Sequence, residues 1–406
     1  MPQEPRGQIL NTNAEIFQAY IVTHPHIDFI FRIDRLSTET WRLLGLAQAK
    51  CEQISGVPLL PEIAEKLHTI FLAKGVLATT AIEGNTLTED EVLRLMAKQL
   101  RLPPSKQYLA DEVTNILEAV NQIAPHFLND SAVEITPENI KTYNAMVLKG
   151  LPLDDEVIPG EFRHHDVWVG GYKGAPAENV RWLVGQLCDK LNQWRAPEER
   201  QDLKFAYSVL KAILAHVYIA WIHPFADGNG RTARLMEFGI LLAAGVPTPA
   251  AHLLSNYYNE TRSEYYRHLQ ISSSAERGGI YAFVDYALKG FVENLDAQIQ
   301  HIEQQQLNVH WKSYIYDQFR GHKDGKTTAR RRQLIFDMSA AKQALSFEEI
   351  RHLSPKIAEA YAGKTDRTIQ RDLNALARMG LIVIAGRKYS PNQQIIQAFL
   401  PLKRNQ

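Results

Sequence analysis

The sequence predicts a mostly helical protein with a short β-hairpin near its middle and a winged helix-turn-helix module at its C-terminal end. Three observations carry this expectation. Apolar residues recur at spacings of three and four along most of the chain, most strongly at Phe205, Val209, Leu210, Ile213, Leu214, Val217 and Tyr218. Phe162, Val167, Trp168 and Val169 favour strand, and Gly170-Gly171 ends that stretch. Beyond residue 345 the pattern reads helix, turn, helix, hairpin.

Residues 38–55 and Pro61–Ala81 have helical periodicity. Glu83-Gly84-Asn85 supplies a stop, because Gly and Asn tolerate the positive φ of a helix C-terminus. Thr88-Glu89-Asp90-Glu91 is a capping box, so a helix from 89 to about 100 is expected. Thr136 and Pro137 suit the N-cap and first turn of a helix that Gly150 closes. The helix over 202–221 has a broad buried face, and a glycine-rich turn after Pro224 leads into a second helix over about 231–244. The polar stretch 321–326 marks a linker, or the end of one. Ser346-Phe347-Glu348-Glu349 is another capping box. Thr365 can cap a helix with Ile369, Leu373 and Leu376 on one face, and residues 381–389 read as a hairpin turning at Ala385-Gly386.

The chain has 406 residues, enough for two to three domains, with 45% hydrophobic and 22% charged residues, as in soluble globular proteins. Lys+Arg and Asp+Glu are 45 each. That excludes a uniformly basic nucleic-acid coat and an acidic disordered tail. Residues 301–406 hold 18 basic and 9 acidic residues, leaving 27 and 36 to the first 300, so a basic tail cancels an acidic body. The two parts should therefore have different partners. Cys51 and Cys188 show no C-x-x-C spacing and support neither a zinc site nor a disulfide framework. Residues 1–17 are polar and broken by Pro and Gly, unlike a signal peptide. The apolar run over 238–246 stops at Pro247, too short to span a bilayer. The expectation is a cytoplasmic protein without a membrane partner.

The segment from His223 to Arg234 reads His-Pro-Phe-Ala-Asp-Gly-Asn-Gly-Arg-Thr-Ala-Arg. Gly228 and Gly230 let the backbone turn sharply and let a ligand come close. The amides of Gly228, Asn229 and Gly230, with the helix that follows, form an anion nest. Arg231 and Arg234 are three residues apart and project from one face, which suits a polyphosphate. Asp227 is a hard oxygen ligand suited to Mg²⁺. His223 has an unperturbed pKa near neutrality and is the candidate general base. An EF-hand fails, because with Gly230 at position 6 the first and twelfth positions are Phe225 and Met236. A P-loop fails for want of the Gly-Lys-Ser/Thr ending. A purely structural loop has no need of seven or eight chemically specified residues in one window.

This segment resembles the signature of Fic domain proteins, H-P-F-x-D-G-N-G-R-x-x-R, at every specified position. Pro159-Gly160-Glu161-Phe162-Arg163 through Val167-Trp168-Val169-Gly170-Gly171 resembles the family's flap hairpin. Tyr265-Tyr266 stand on the helix that lines the adenine pocket in relatives; Ser273 stands where some relatives carry asparagine. Thr79-Thr80-Ala81-Ile82-Glu83-Gly84 resembles the inhibitory motif S/T-x-x-x-E-G/N. The resemblance covers about residues 25–295. It implies an N-terminal helical region over 1–125, a Fic-type catalytic core over 126–298, and a linker helix with a winged-helix domain over 299–406.

The resemblance also implies a protein adenylyltransferase. AMP passes from ATP to a Ser, Thr or Tyr hydroxyl of a target, which can be the protein itself, and pyrophosphate leaves. His223 is the implied base and Asp227 the implied Mg²⁺ ligand. Gly228, Asn229 (through its side chain as well as its amide), Gly230, Arg231 and Arg234 face the phosphates. Val169, Gly170, Gly171, Tyr265 and Tyr266 complete the nucleotide site, and the flap aligns the target by strand addition. Glu83 pairs with Arg234 and blocks the γ-phosphate. Two alternatives stand beside this: a nucleotide-sensing transcriptional regulator, and an enzyme that removes AMP. A homodimer is compatible with either.

In the tail, Arg330-Arg331-Arg332 and the set Arg367, Gln370, Arg371, Asn374 and Arg378 are expected to be exposed. A helix of that kind can enter a DNA major groove while Arg387 and Lys388 on the wing meet phosphates. A protein-docking wing and a merely solvated face are the competing readings.

Overall fold

The computed structural model describes residues 23–129, 134–273, 279–323, 325–341 and 343–397. The stretch 1–17 discussed above lies outside the described residues. The chain divides into two compact units, Met1–Ile299 and Gln300–Gln406.

The first unit begins with helices α1 (Thr38–Gly56), α2 (Pro61–Ala81), α3 (Glu89–Met96), α4 (Gln107–Asn129) and α5 (Pro137–Leu148). The hairpin β1 (Trp168–Val169) and β2 (Tyr172–Lys173) follows, antiparallel, with Trp168 opposite Lys173 and Val169 opposite Tyr172. Then come α6 (Val180–Gln193), α7 (Lys204–Ile222), α8 (Asn229–Ala243), α9 (Leu253–Glu260), α10 (Arg262–Ser272) and the first part of α11 (Gly279–Phe319), whose residues beyond Ile299 belong to the second unit.

Helix α7 is the centre of this unit. Val209, Leu210, Ile213, Val217, Trp221 and Ile222 are all buried, so the broad apolar face read from the sequence extends around most of the helix. Residues 198–222 are long and apolar enough to cross a membrane by composition, more so than the 238–246 run, but 72% of that window is buried inside the protein. Core packing accounts for the apolarity. Helix α7 runs along α8, and α2, α4 and α5 pack on α8 from other sides. This brings the end of α2 to the start of α8.

Several boundaries differ from expectation for visible reasons. Helix α3 has both halves of its capping box, but it ends at Met96. Lys98 adopts φ +58, and the amides of Lys98 and Gln99 turn back onto the carbonyls of Leu95 and Arg94. Helix α7 starts at Lys204, after a 3-10 turn over Glu198–Leu203. Helix α8 starts two residues earlier than expected, because Gly228 takes φ +79 as its N-cap.

The second unit contains α12 (Lys326–Ala340), β3 (Leu345–Ser346), α13 (Phe347–Arg351), α14 (Pro355–Ala360), α15 (Asp366–Arg378), β4 (Ile382–Ala385) and β5 (Lys388–Pro391). Its antiparallel sheet has the order β3-β5-β4, with Ile384 opposite Tyr389 and Leu345 opposite the same tyrosine from the other side. Strand β3 is too short to leave a two-residue alternation in the sequence. Ser346 and Glu349 form the expected capping box, whereas the Thr365 side chain makes no cap bond. Trp311, Leu334, Ile350, Ile369, Leu373 and Leu376 belong to one core.

Arg330 and Arg331 do not lie on the exposed face read from the sequence. Arg330 is buried, with Nη2 2.7 Å from Asp372 Oδ2, and Arg331 Nε lies 2.7 Å from Oδ1. The Tyr361 hydroxyl donates to Oδ2 at 3.2 Å. Asp372 itself is 0% exposed, and a carboxylate at such depth requires counter-charge and donors. Arg332 lies over the Tyr316 ring, 5.4 Å from its centroid. Asp372→Ala should lower the unfolding free energy of this unit by about 3–5 kcal/mol, because it strands two arginines. Arg367→Ala, on the exposed face of α15, should stay within about 0.5 kcal/mol. Urea unfolding of the full chain, followed at the second unit, distinguishes the two.

Candidate active site

The loop between α7 and α8 is anchored in the core by buried Phe225 and shaped by polar contacts around it. Helix α7 ends because His223 takes the left-handed conformation, φ 51 and ψ 63, ahead of Pro224. That conformation is costly for a non-glycine residue and is held from outside. Arg163 Nε donates to the His223 carbonyl at 2.7 Å, and its Nη2 donates to the carbonyls of Ile222 and Ala175. The Asn229 carboxamide clasps Phe225, accepting from its amide and donating to its carbonyl, both at 2.8 Å. The Asn229 side chain is therefore fully used inside the loop, not presented to a phosphate. Asn144 on α5 donates to the Asp227 carbonyl at 2.9 Å and accepts from the Gly160 amide at 2.9 Å. A Cβ on Gly228 would lie 2.8 Å from Asn144 Nδ2, so both the conformation and the space require glycine there.

Arg234 is 1% exposed. Its Nη2 donates to Glu83 Oε1 at 2.5 Å and to the Thr79 carbonyl at 2.9 Å. Its Nε and Nη1 have no hydrogen-bond partner among the described residues. A Cβ placed on Gly230 would collide with Glu83 Oε1, so the Glu83 carboxylate lies against the first turn of α8 as well as on the arginine. Burial pushes the Glu83 carboxyl up, but the Arg234 charge and hydrogen bond outweigh it and hold the group below its ordinary value. Arg231 lies 3.3 Å from Glu112 on α4 and 3.3 Å from Asp227, and its Nε has no hydrogen-bond partner among the described residues. Glu112 also accepts from Asn85 at 2.8 Å, which ties the loop carrying Glu83 to α4. The Asp227 carboxylate remains about half exposed.

The His223 imidazole is lowered to about 4, chiefly by burial, with the Arg163 charge adding to the effect and the Ala220 carbonyl, Glu83 and Asp227 opposing it. The ring is thus neutral near pH 7. Its Nδ1 faces the Ala220 carbonyl at 3.4 Å; a proton on Nδ1 leaves the lone pair on Nε2.

The other sequence-derived residues divide into groups. Tyr265 is buried with its hydroxyl 2.9 Å from His216 Nε2, while half-exposed Tyr266 donates to the Ile82 carbonyl at 3.2 Å. Val169, Gly170 and Gly171 lie at the exposed turn of the hairpin, beside Trp168 at 68% exposure. Arg367, Arg371, Arg387 and Lys388 are exposed residues of the second unit. Glu112, Asn144 and the Thr79 carbonyl were not singled out from the sequence. Glu112 and Asn144 stand on ordinary-looking helices far from the loop, where no local spacing marks them; Thr79 belongs to the inhibitory motif, but a motif of side chains does not show that its carbonyl takes an Arg234 N–H. Arg163 was noted only as part of the hairpin segment.

With this geometry in hand, comparison with known proteins is informative. Residues 134–241 match the family model described as Fic/DOC family. The chain carries a Fic/DOC family domain. A Protein adenylyltransferase Fic from Drosophila ananassae is 30% identical over 222 residues, 54% of this chain and 40% of that protein. A Protein adenylyltransferase fic-1 from Caenorhabditis briggsae is 29% identical over 211 residues, 52% of this chain and 38% of that protein. The chain thus spans about two-fifths of the length of these relatives. Among solved structures, a Fic family protein from Desulfovibrio desulfuricans G20 superposes with a TM-score of 0.50 at 19% identity, covering 88% of this chain and 96% of that one. Fic-1 (residues 134–508) from C. elegans gives 0.50 at 24% identity, covering 66% and 73%. These structures establish the shared, mostly helical Fic-type fold.

The His223 ring should titrate with a midpoint of about 4 in an NMR pH series. Its neutral form is favoured by folding, so its contribution to stability is complete above the unfolded value of about 6.5 and is lost as pH falls toward 4. A midpoint near 6.5 would contradict the buried, neutral imidazole.

Proposed function

We propose that this protein transfers AMP from ATP to a Ser, Thr or Tyr hydroxyl of a protein, releasing pyrophosphate. The observation that carries this reading is a neutral His223 in one loop with two buried arginines, Arg231 and Arg234, that keep N–H groups without acceptors among the described residues. Buried donors of that kind call for an anionic ligand. The adenylyltransferase names of the curated relatives support the same chemistry.

With Nδ1–H on the Ala220 carbonyl, His223 Nε2 takes the proton of the target hydroxyl. The hydroxyl oxygen forms a bond to the α-phosphorus, the bond to the α,β-bridging oxygen breaks, and pyrophosphate leaves with the electron pair. The negative charge of the polyphosphate raises the proton affinity of His223 above its resting value. Arg231, Arg234 and the amides at the start of α8 offset that charge. Asp227 fits a Mg²⁺ ligand: it is a hard oxygen donor, half exposed, whose Oδ1 accepts from the Gly228 amide at 2.5 Å and whose contacts to Arg231 are long, at 3.3 Å, so Oδ2 keeps capacity for a cation. When bound, the ion supplies further neutralisation of phosphate charge. The exposed hairpin offers its strand edge to a target chain through main-chain hydrogen bonds.

The Glu83 position supports self-inhibition. Its carboxylate takes the Arg234 N–H and lies against Gly230, where a terminal phosphate would seek the same donors. The two anions exclude one another.

A second reading concerns residues 300–406, which we propose form a winged-helix module that binds duplex DNA. Arg367, Arg371, Asn374 and Arg378 recur at four, three and four along α15 and are all exposed. None of these arginines has an ion pair among the described residues, in contrast to the paired Arg330 and Arg331. Gln370 and Asn374 add amides to the same face, and Arg and amide side chains are the groups that read guanine and adenine edges. Arg387 and Lys388 sit exposed at the hairpin beside it.

Glu83→Gly should raise self-labelling by α-³²P-ATP by about tenfold or more, and adding His223→Ala should abolish it. Equal labelling by wild type and Glu83→Gly removes the inhibitory reading; labelling that survives loss of His223 removes the assigned base. For the tail, the full chain should shift a fluorescent duplex at low salt. Arg367→Ala with Arg371→Ala should weaken that binding and reduce the slope of log K against log salt by about two. No salt-dependent shift by the wild type would overturn the DNA reading.

A further inference from the structure

Part of what holds the hairpin to the rest of the first unit comes from far away in the chain. His24 is buried, and its Nε2 lies 3.0 Å from the Lys173 carbonyl on β2. A carbonyl only accepts, so His24 carries its proton on Nε2. His26 Nε2 lies 3.1 Å from the Tyr172 hydroxyl, and that hydroxyl donates to the Trp221 carbonyl at 2.8 Å. The Tyr172 proton is thereby committed, so His26 must donate as well. The result is a relay of donors from His26 to Tyr172 to the carbonyl two residues before His223. The His26 ring also packs edge-on against Trp221, with centroids 5.0 Å apart. Arg163 makes the complementary joint, linking the Ala175 carbonyl to those of Ile222 and His223. Strand β2 through Tyr172, and the segments flanking the hairpin through Arg163 and Ala175, are thus tied to the end of α7, where the candidate base follows. The turn at Gly170-Gly171 is left open to solvent.

From this geometry we infer that His24 and His26 are positioning residues for target docking. They set the angle of the hairpin against the end of α7, so that a chain added along the hairpin edge brings its hydroxyl to His223 Nε2. This inference rests on the transferase reading for its consequence, but the clamp itself does not. Neither histidine is bonded to Asp227, Arg231 or Arg234, the phosphate-facing groups of the loop, so their loss acts on target alignment more than on nucleotide binding. Misplacement of a reacting group by about 1 Å can cost about a hundredfold in rate.

The test uses the full chain in the Glu83→Gly background, with two readouts. The first is amide hydrogen exchange of the peptide covering 163–174. The second is self-labelling by α-³²P-ATP, analysed for maximal rate and half-saturating ATP. His24→Ala with His26→Ala should speed exchange of the hairpin peptide about tenfold while peptides from α7 and α8 keep their protection. The maximal labelling rate should fall about tenfold with half-saturating ATP changed less than about twofold. His26→Gln, which keeps an N–H at similar reach, should retain most of the wild-type behaviour in both. Unchanged hairpin exchange in the double variant overturns the inference. So does His26→Gln failing as completely as His26→Ala, or loss of protection throughout α7 and α8. Absence of any labelling before the histidines are changed counts against the transferase reading instead, and the exchange result then decides the clamp alone.

Discussion

Arg234 is a guanidinium with almost no contact with water, and much of the first unit is arranged around that fact. A cation at such depth needs an anion and several acceptors. In this structure the end of α2 supplies both, through the Glu83 carboxylate and the Thr79 carbonyl. The packing of α2 on α8 therefore depends on a charge pair as well as on apolar contact. Gly230 lacks a side chain because Glu83 occupies the space beside it. Two nitrogens of Arg234, Nε and Nη1, still lack acceptors among the described residues, so the pairing with Glu83 leaves the arginine only partly satisfied. An anion that could engage all of them would compete directly with Glu83. A resting contact and a ligand site thus share the same donors, which is why occupation of one opposes the other.

The loop around this arginine is prepared before any ligand arrives. Asn229 holds Phe225, Asn144 holds Asp227 and Gly160, and Arg163 holds the end of α7 in its left-handed turn. These side chains use their hydrogen-bonding capacity on the backbone. The reacting groups are then free to face outward from a fixed frame. Such preorganisation is the economical way to stabilise developing charge, because little reorientation is needed during reaction. The same reasoning separates Asn229, whose side chain belongs to the frame, from Arg231 and Arg234, which keep donors in reserve.

The second unit applies arginine to two opposite ends. Arg330 and Arg331 neutralise one buried carboxylate, Asp372, and hold α12 to α15. Arg367, Arg371 and Arg378 on the outer face of α15 have no such partner among the described residues. Residue type and local charge density are similar in the two sets. Burial of a single aspartate decides which arginines are structural and which remain available to a polyanion.

The sequence by itself determined the helical class, the capping boxes at Thr88 and Ser346, the hairpin at Gly170-Gly171 and the whole loop from His223 to Arg234. Each of these is written in neighbouring residues, where periodicity, turn preference and spacing act over a few positions. The pairing of Glu83 with Arg234 was suggested by resemblance, and its distance and burial came from the fold. Only the tertiary structure decided that Glu112 reaches Arg231, that Asn144 and Arg163 brace the loop, that Asn229 turns inward and that Arg330 is buried. It also brought His24 and His26 to the base of the hairpin. Apart from the local turn of Asn229 onto Phe225 and the Asn144–Gly160 bond, these contacts join residues about 40 to 150 positions apart. Their partners carry no local pattern, because a buried polar group needs only an acceptor or a charge within reach, and chain topology alone determines which residue provides it.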